Sequence, residues 1–194
     1  MTLNFYNDEE KDFDWNKPLS ESKNFVVLPS LGSFIPNWLL VLPKEEQISF
    51  AKVNKEHFLE LQDLVNHITH KLDMKYYSIF EHGPLVAKSK VGCSKDYAHI
   101  HIVPHEIKMN NPLLSEYKWK KFDNWISLLN SIDKNKEYLF FGKGEQWFLT
   151  QSMDFQSQFF RKIIANDLNL DRFYDWRKFP FYSNVNQTIK SFNG

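Results

Sequence analysis

The chain has 194 residues, with 24 Lys and Arg balancing 24 Asp and Glu, and 42 % of its residues are hydrophobic. A chain of this size forms one domain and buries about 70 % of its unfolded surface, and this composition excludes a disordered or collagen-like polymer. Zero net charge argues against a surface that grips extended nucleic acid by neutralising many phosphates, and the single cysteine, Cys93, excludes a disulfide framework and a cysteine-rich zinc site.

Residues 1 to 24 are polar and acidic and are expected to wrap the surface rather than build the core. No secretory signal pattern and no apolar run near the roughly 20 residues of a membrane helix is present, so a cytoplasmic location without membrane contact is expected. Two apolar runs follow, Phe25 to Leu28 and Trp38 to Leu42, separated by Pro29, Gly32 and Pro36; they read as strands joined by a turn. Across residues 55 to 73, Phe58, Leu61, Val65, Ile68 and Leu72 recur at spacings of three and four, which predicts an amphipathic helix. On that helix His57, His67 and His70 fall on polar or intermediate faces and read as solvated.

The aromatic and β-branched run ending in Phe80-Glu81-His82-Gly83-Pro84 reads as a strand, followed by a basic linker and then Tyr97-Ala98-His99-Ile100-His101-Ile102-Val103. Beyond Pro112, residues 118 to 132 read as a helix and residues 136 to 150 as two strands joined around Gly142 and Gly144. Phe159, Ile163 and Leu168 mark one face of a further helix. This is an α+β order: a single domain with an antiparallel sheet of about five strands, one main amphipathic helix, and a C-terminal α/β extension over about residues 109 to 194.

The chemistry concentrates around the two histidines. A strand alternates its side chains, so Tyr97, His99 and His101 share one face while Ala98, Ile100 and Ile102 share the other. The apolar face needs a core; two imidazoles on the opposite face need polar partners. Three readings follow from the residues alone: partly exposed strand histidines, a pair of metal ligands to which His105 or His82 would add a third, or a nucleophilic imidazole beside a charge-stabilising one. Gly92, Cys93 and Ser94 precede the strand as a small polar loop whose amides and hydroxyl suit an anion, and Lys88, Lys90 and Lys95 make that stretch basic. Cys93 itself reads as a small buried thiol rather than a nucleophile. His82 borders the same cleft if its strand pairs antiparallel with the motif. Arg161 and Lys162 read either as a solvated helix face or as contacts to a phosphate or base.

Residues 97 to 103 resemble the motif of the histidine triad (HIT) superfamily, His-φ-His-φ-His-φ-φ with φ apolar, with Tyr97 in place of the first histidine. The resemblance runs upstream through Ser30-Leu31-Gly32-Ser33 and Ile35 to Lys44, and through Phe80-Glu81-His82-Gly83-Pro84. Ser157 to Lys162 and Asp175-Trp176-Arg177 are similar to the tail of a bacterial HIT-like branch. It implies a HIT-like core over about residues 25 to 108 and attack by His99 on an α-phosphate to give a nucleotidyl-imidazole. It also implies that His101 contacts that phosphate and that Gly92, Cys93 and Ser94 form a phosphate loop. Leu31, Trp38, Glu81 and His82 fall where nucleotide-binding positions are expected. Trp38 stands where several members carry a further active-site histidine, and Ser30 where they carry a ribose-binding acid. The implied partner is a nucleotide or nucleotide conjugate, with no cofactor and no metal; many members are dimers, which leaves a homodimer open. A HIT-like module that binds without turnover is the alternative, and a metal-dependent hydrolase using the His-x-His strand is the third.

Overall fold

A computed structural model describes residues 14 to 87, 97 to 152 and 154 to 194. Among these residues, eight antiparallel strands form a single sheet: β1 (Ser20–Glu21), β2 (Phe25–Pro29), β3 (Leu39–Pro43), β4 (Ser78–Gly83), β5 (Ile100–Val103), β6 (Lys120–Phe122), β7 (Glu137–Lys143) and β8 (Gln146–Ser152), in the order β1-β2-β3-β5-β4-β7-β8-β6. The expectation of about five strands is corrected by the C-terminal half. There β7 pairs with β4 and carries the sheet onward, so the extension continues the sheet instead of standing beside it.

Period-two alternation sorts the strand residues onto two faces. One face presents Phe25, Val27, Leu39, Val41, Ile79, Ile100, Ile102, Tyr138, Phe140, Trp147 and Leu149. It is covered by α1 (Phe58–Lys71), whose Phe58, Leu61, Val65 and Ile68 form the expected stripe, and by α2 (Trp125–Ser131). A short helical turn over Lys55–His57, capped by Asn54, replaces the first turn expected of α1. The stretch 118 to 132 is not helical throughout: Lys120–Phe122 pairs with β8 at the sheet edge, and the helix begins only where Asn124 caps it by accepting from the Ser127 amide at 2.8 Å.

The other face carries Phe80, Val103, Leu139 and Phe141 under α3 (Phe159–Asp167), with a smaller patch of Val26, Leu28, Leu40 and Leu42 at the β2–β3 end. A fourth helix, α4 (Tyr182–Asn193), was not foreseen from the sequence. It buries Val185, Thr188 and Phe192, and the chain before and within it clasps the loop between β2 and β3. The Gly32 amide donates to the Pro180 carbonyl at 2.7 Å, Asn184 Nδ2 to the Ser33 carbonyl at 2.9 Å, and the Asn37 amide to Thr188 Oγ1 at 2.7 Å. No helix among the described residues is long and apolar enough to cross a membrane.

Candidate active site

The site lies on the α3 face of the sheet, where β5 runs between β3 and β4. Leu40 and Phe80 flank His101 in register. The regular strand begins at Ile100 rather than Tyr97, because the Ala98 amide turns aside to donate to the Gln47 carbonyl at 2.6 Å. The alternation nonetheless holds: Ala98, Ile100 and Ile102 enter the core under α1, and His101 faces the other way. Carrying the β4–β5 register two residues further sets His82 opposite His99.

Hydrogen bonds fix the tautomers of both motif histidines. His99 Nδ1 lies 2.7 Å from the Tyr97 carbonyl oxygen. A carbonyl only accepts, so Nδ1 carries the hydrogen and the lone pair sits on Nε2. At His101 the arrangement is reversed: the Trp38 indole N–H donates to Nδ1 at 3.0 Å. An indole only donates, so Nδ1 holds the lone pair and Nε2 carries the hydrogen. The ring centroids are 4.9 Å apart and the planes 69° to one another. Phe80 stacks on His101 at 4.5 Å, which leaves that ring no room to turn. Burial holds the His99 pKa below the ordinary histidine value, against the opposing pull of the Tyr97 carbonyl. His101, 5 % exposed, is held well below it by burial and then by His99, Arg161 and His82. Both rings are therefore neutral at pH 7.

His82 joins them from β4. It is 7 % exposed, Phe155 meets its ring edge-on at 6.0 Å, and neither ring nitrogen has a hydrogen-bond partner among the described residues. Burial, with His99 adding to it, pushes its pKa down to about 3. A histidine held neutral by burial stabilises the fold above about pH 6.5, and that contribution is lost as pH falls toward about 3, with a slope of up to about 1.4 kcal/mol per pH unit. Chemical denaturation between pH 7 and pH 4 is accordingly expected to show wild type losing stability relative to His82→Phe, which has no ring to charge.

Trp38 lies inside the fold with its indole N–H turned to His101. It is fully buried, with Phe34 edge-on at 5.2 Å and the Arg161 guanidinium 4.7 Å from its ring centroid, and its role is to hold His101. Arg161 is not on a solvated helix face: it is buried. It donates from Nε to the Tyr174 carbonyl at 2.7 Å and from Nη2 to the Gly32 carbonyl, which places a buried cation behind the indole. Lys162 instead reaches Gln156 Oε1 at 3.1 Å. Tyr97, in the first motif position, sends its hydroxyl to the Pro43 carbonyl at 2.8 Å and packs beside the Val26–Leu28–Leu40–Leu42 patch, as does the partly buried Leu31. It is the Tyr97 backbone, not its side chain, that orients His99.

Glu81 departs from its expected place. Adjacent strand residues face opposite ways, so with His82 turned to the site Glu81 points into the core beneath the sheet, 2 % exposed. Its Oε1 accepts from the Phe50 amide at 2.9 Å, and Oε2 meets the Tyr138 hydroxyl, which in turn accepts from the Ala51 amide at 3.1 Å. Burial raises its pKa to about 8, against both hydrogen bonds. A carboxyl raised in the folded state stabilises fully below about pH 4.5 and loses that contribution as pH rises through about 8. Glu81→Gln copies the neutral acid, with its oxygen toward Phe50 and its amide toward Tyr138. The variant is expected to gain on wild type steadily from pH 5 to pH 8 and then to hold a constant margin, read from denaturation midpoints.

His105 lies apart, paired with Asp167 at 3.0 Å, and no group of three or more His, Cys, Asp or Glu able to hold a metal occurs among the described residues. Gly92, Cys93 and Ser94, with Lys88, Lys90 and Lys95, lie outside the described residues. Sequence reasoning thus found His82, His99 and His101, which the fold brings together. A backbone carbonyl holding the other nitrogen of His99 is what its chemistry requires, but the sequence does not say that it is that of Tyr97, and it carries no sign of the indole-to-imidazole bond.

No family model matches the chain, and no curated protein matches it. Among solved structures it is similar to a HIT-like protein involved in cell-cycle regulation from Bartonella henselae, crystallised with an unknown ligand, at 14 % identity and a TM-score of 0.38 over 46 % of this chain and 69 % of that one. It is also similar to a hypothetical histidine triad nucleotide-binding protein from Sulfolobus tokodaii, at 15 % identity and a TM-score of 0.38 over 47 % of this chain and 61 % of that one. At these identities and overlaps, the chemistry of the site has to be read from its own residues.

Proposed function

We propose that this chain is a HIT-type nucleotide hydrolase or nucleotidyltransferase that works at an α-phosphate through a covalent intermediate on His99. The observation that carries the reading is the pairing of opposite tautomers. His99 offers a lone pair at Nε2 while its Nδ1–H is anchored to a carbonyl that can stabilise the cation formed on attack. Next to it, His101 offers an Nε2–H to a phosphoryl oxygen, where charge accumulates in the transition state. Neutral rings suit this task, since a protonated His99 has no lone pair to use. The loop of Gly92, Cys93 and Ser94 would supply further donors, as the sequence resemblance implies, and His82 has ring nitrogens available to a bound anion.

The test is to quench wild-type enzyme during turnover of nucleotides labelled at the α-phosphate and to map the acid-labile label. Label on His99 supports the reading; its absence across dinucleoside polyphosphates, nucleotide esters and phosphoramidates removes the covalent step. One observation favours a second reading, a module that binds a nucleotide without turnover: Trp38 holds His101 in one tautomer and so denies it a part in proton relay. Saturable nucleotide binding by calorimetry with no product from the same panel would select that reading.

A further inference from the structure

The bond from Trp38 to His101 has a chemical consequence that selects among substrates. We propose that this site turns over only those nucleotidyl donors whose leaving group departs as a stable anion, such as a phosphate, a pyrophosphate or an acidic phenol, and discriminates against those whose leaving group needs a proton, such as an amine. The inference rests on the reading of His99 as nucleophile.

In the first step the His99 Nε2 lone pair forms the N–P bond, the bond from phosphorus to the leaving atom breaks, and its electron pair leaves with that atom. An amine or alkoxide must take up a proton at that moment. His101 is the neighbour placed to give one, through Nε2–H, but its Nδ1 already accepts from the Trp38 indole, which has no lone pair to give and only a hydrogen. Surrendering the Nε2 proton would turn His101 into an imidazolate, and charging it first would require Nδ1 to take a proton where the indole N–H already points. Behind the indole stands the Arg161 guanidinium, a cation that further opposes a positive His101. Trp38 is fully buried and wedged by Phe34 and Phe80, so it cannot swing aside.

The other titratable groups near the reacting pair, among the described residues, do not replace it. His82 is kept neutral by burial, and a neutral imidazole donates a hydrogen bond without releasing the proton. The Tyr97 hydroxyl is turned to the Pro43 carbonyl, and burial raises its pKa to about 12. His101 therefore acts as a fixed hydrogen-bond donor to the phosphoryl oxygen and not as an acid. In the second step water attacks phosphorus, the P–N bond returns its electrons to His99 Nε2, and the water's proton passes to solvent. Trp38, which does not touch the substrate, is a positioning residue for this selectivity.

The experiment measures kcat/KM for a series of nucleoside monophosphate aryl esters whose phenols span several pKa units, alongside the corresponding phosphoramidate, with His99 labelling followed in parallel. For wild type kcat/KM is expected to fall about tenfold per unit of leaving-group pKa, with the phosphoramidate the poorest substrate. Trp38→Phe removes the indole N–H while keeping an aromatic ring, and is expected to raise the phosphoramidate-to-nitrophenyl-ester ratio of kcat/KM by about tenfold or more, because His101 Nδ1 can then take a proton. Since the buried position makes a folding failure conceivable in that variant, the wild-type series and heteronuclear NMR of the ring nitrogens stand as independent readouts. His101 should show Nδ1 bare and Nε2 protonated at neutral and higher pH. Label on His99 with a flat leaving-group series, or a wild-type His101 protonated on Nδ1, overturns the selectivity proposal and leaves the covalent reading standing. No label with even the most acidic phenol overturns both. A series that steepens in His82→Gln also overturns the proposal, because it makes His82 the acid.

Discussion

His99→Asn is expected to abolish label transfer to the protein and to lower kcat by at least about 10⁴-fold, the scale on which removal of a covalent nucleophile acts in other enzymes. The substitution isolates the lone pair. The Asn side-chain amide can still donate toward the Tyr97 carbonyl that now accepts from Nδ1 at 2.7 Å, so the backbone of the strand entry keeps its partner. What is lost is Nε2. Melting temperature should change little, because His99 is only partly buried, whereas turnover of every donor in the panel should fall together. Nucleotide affinity, measured by calorimetry, should be kept within a few fold, since His101 and its Nε2–H are untouched. Equal turnover by wild type and variant would remove His99 from the mechanism.

The second large effect is expected at Gly32, through packing rather than chemistry. Its φ is +77°, and a Cβ built there would lie 2.3 Å from Trp176 Cβ and 2.6 Å from Trp176 Cα. Backbone cannot yield as a flexible side-chain tip can. Gly32→Ala adds about 1 to 2 kcal/mol for the left-handed conformation to an overpacking cost of about 1 to 3 kcal/mol. In a domain of this size the sum corresponds to a fall in Tm of roughly 4 to 20 °C, read by calorimetry. The damage should also reach the site, because the Gly32 carbonyl accepts from Arg161, whose guanidinium backs Trp38, and Trp38 holds His101. The catalytic signature is a change in the leaving-group series alongside the drop in Tm. A Tm within 2 °C of wild type would show that the close approach of Trp176 is not rigid.

Much of this was legible in the residues. The period-two alternation of 97 to 103 placed His99 and His101 on one face and the apolar residues on the other, and the spacing of Phe58, Leu61, Val65 and Ile68 marked α1. Glu81 and His82 show where such reasoning stops. They are neighbours in one short strand, and alternation alone demands that they face opposite ways, yet which of the two meets the site depends on pairing with β5, a long-range property. Trp38 was legible as a departure from a family pattern but not as a donor, because its hydrogen bond spans 63 residues of sequence. The strand count fell short because β7 and β8, although visible as strands, carry no local mark that they extend the same sheet. Lys120–Phe122 falls within a helical spacing because an edge strand of three residues is too short to show its own period. The α4 helix was missed because it is largely polar, with only Val185, Thr188 and Phe192 buried.

The clasp between α4 and the β2–β3 loop also bears on when that loop reaches its final form during synthesis. The Asn37 amide waits for Thr188 across 151 residues, and Ser33 waits equally long for Asn184. Contacts of such large sequence separation form slowly, even though β7 on β4 and Arg161 on Gly32 already close part of the segment. At the usual rate of about 5 to 20 residues per second, roughly 7 to 29 seconds separate the emergence of β3 from that of Thr188. The indole of Trp38 and its imidazole partner thus gain their final surroundings only after residues 174 to 188 have emerged, so completion of the candidate site is timed by the far end of the sheet's covering rather than by the His-x-His strand itself.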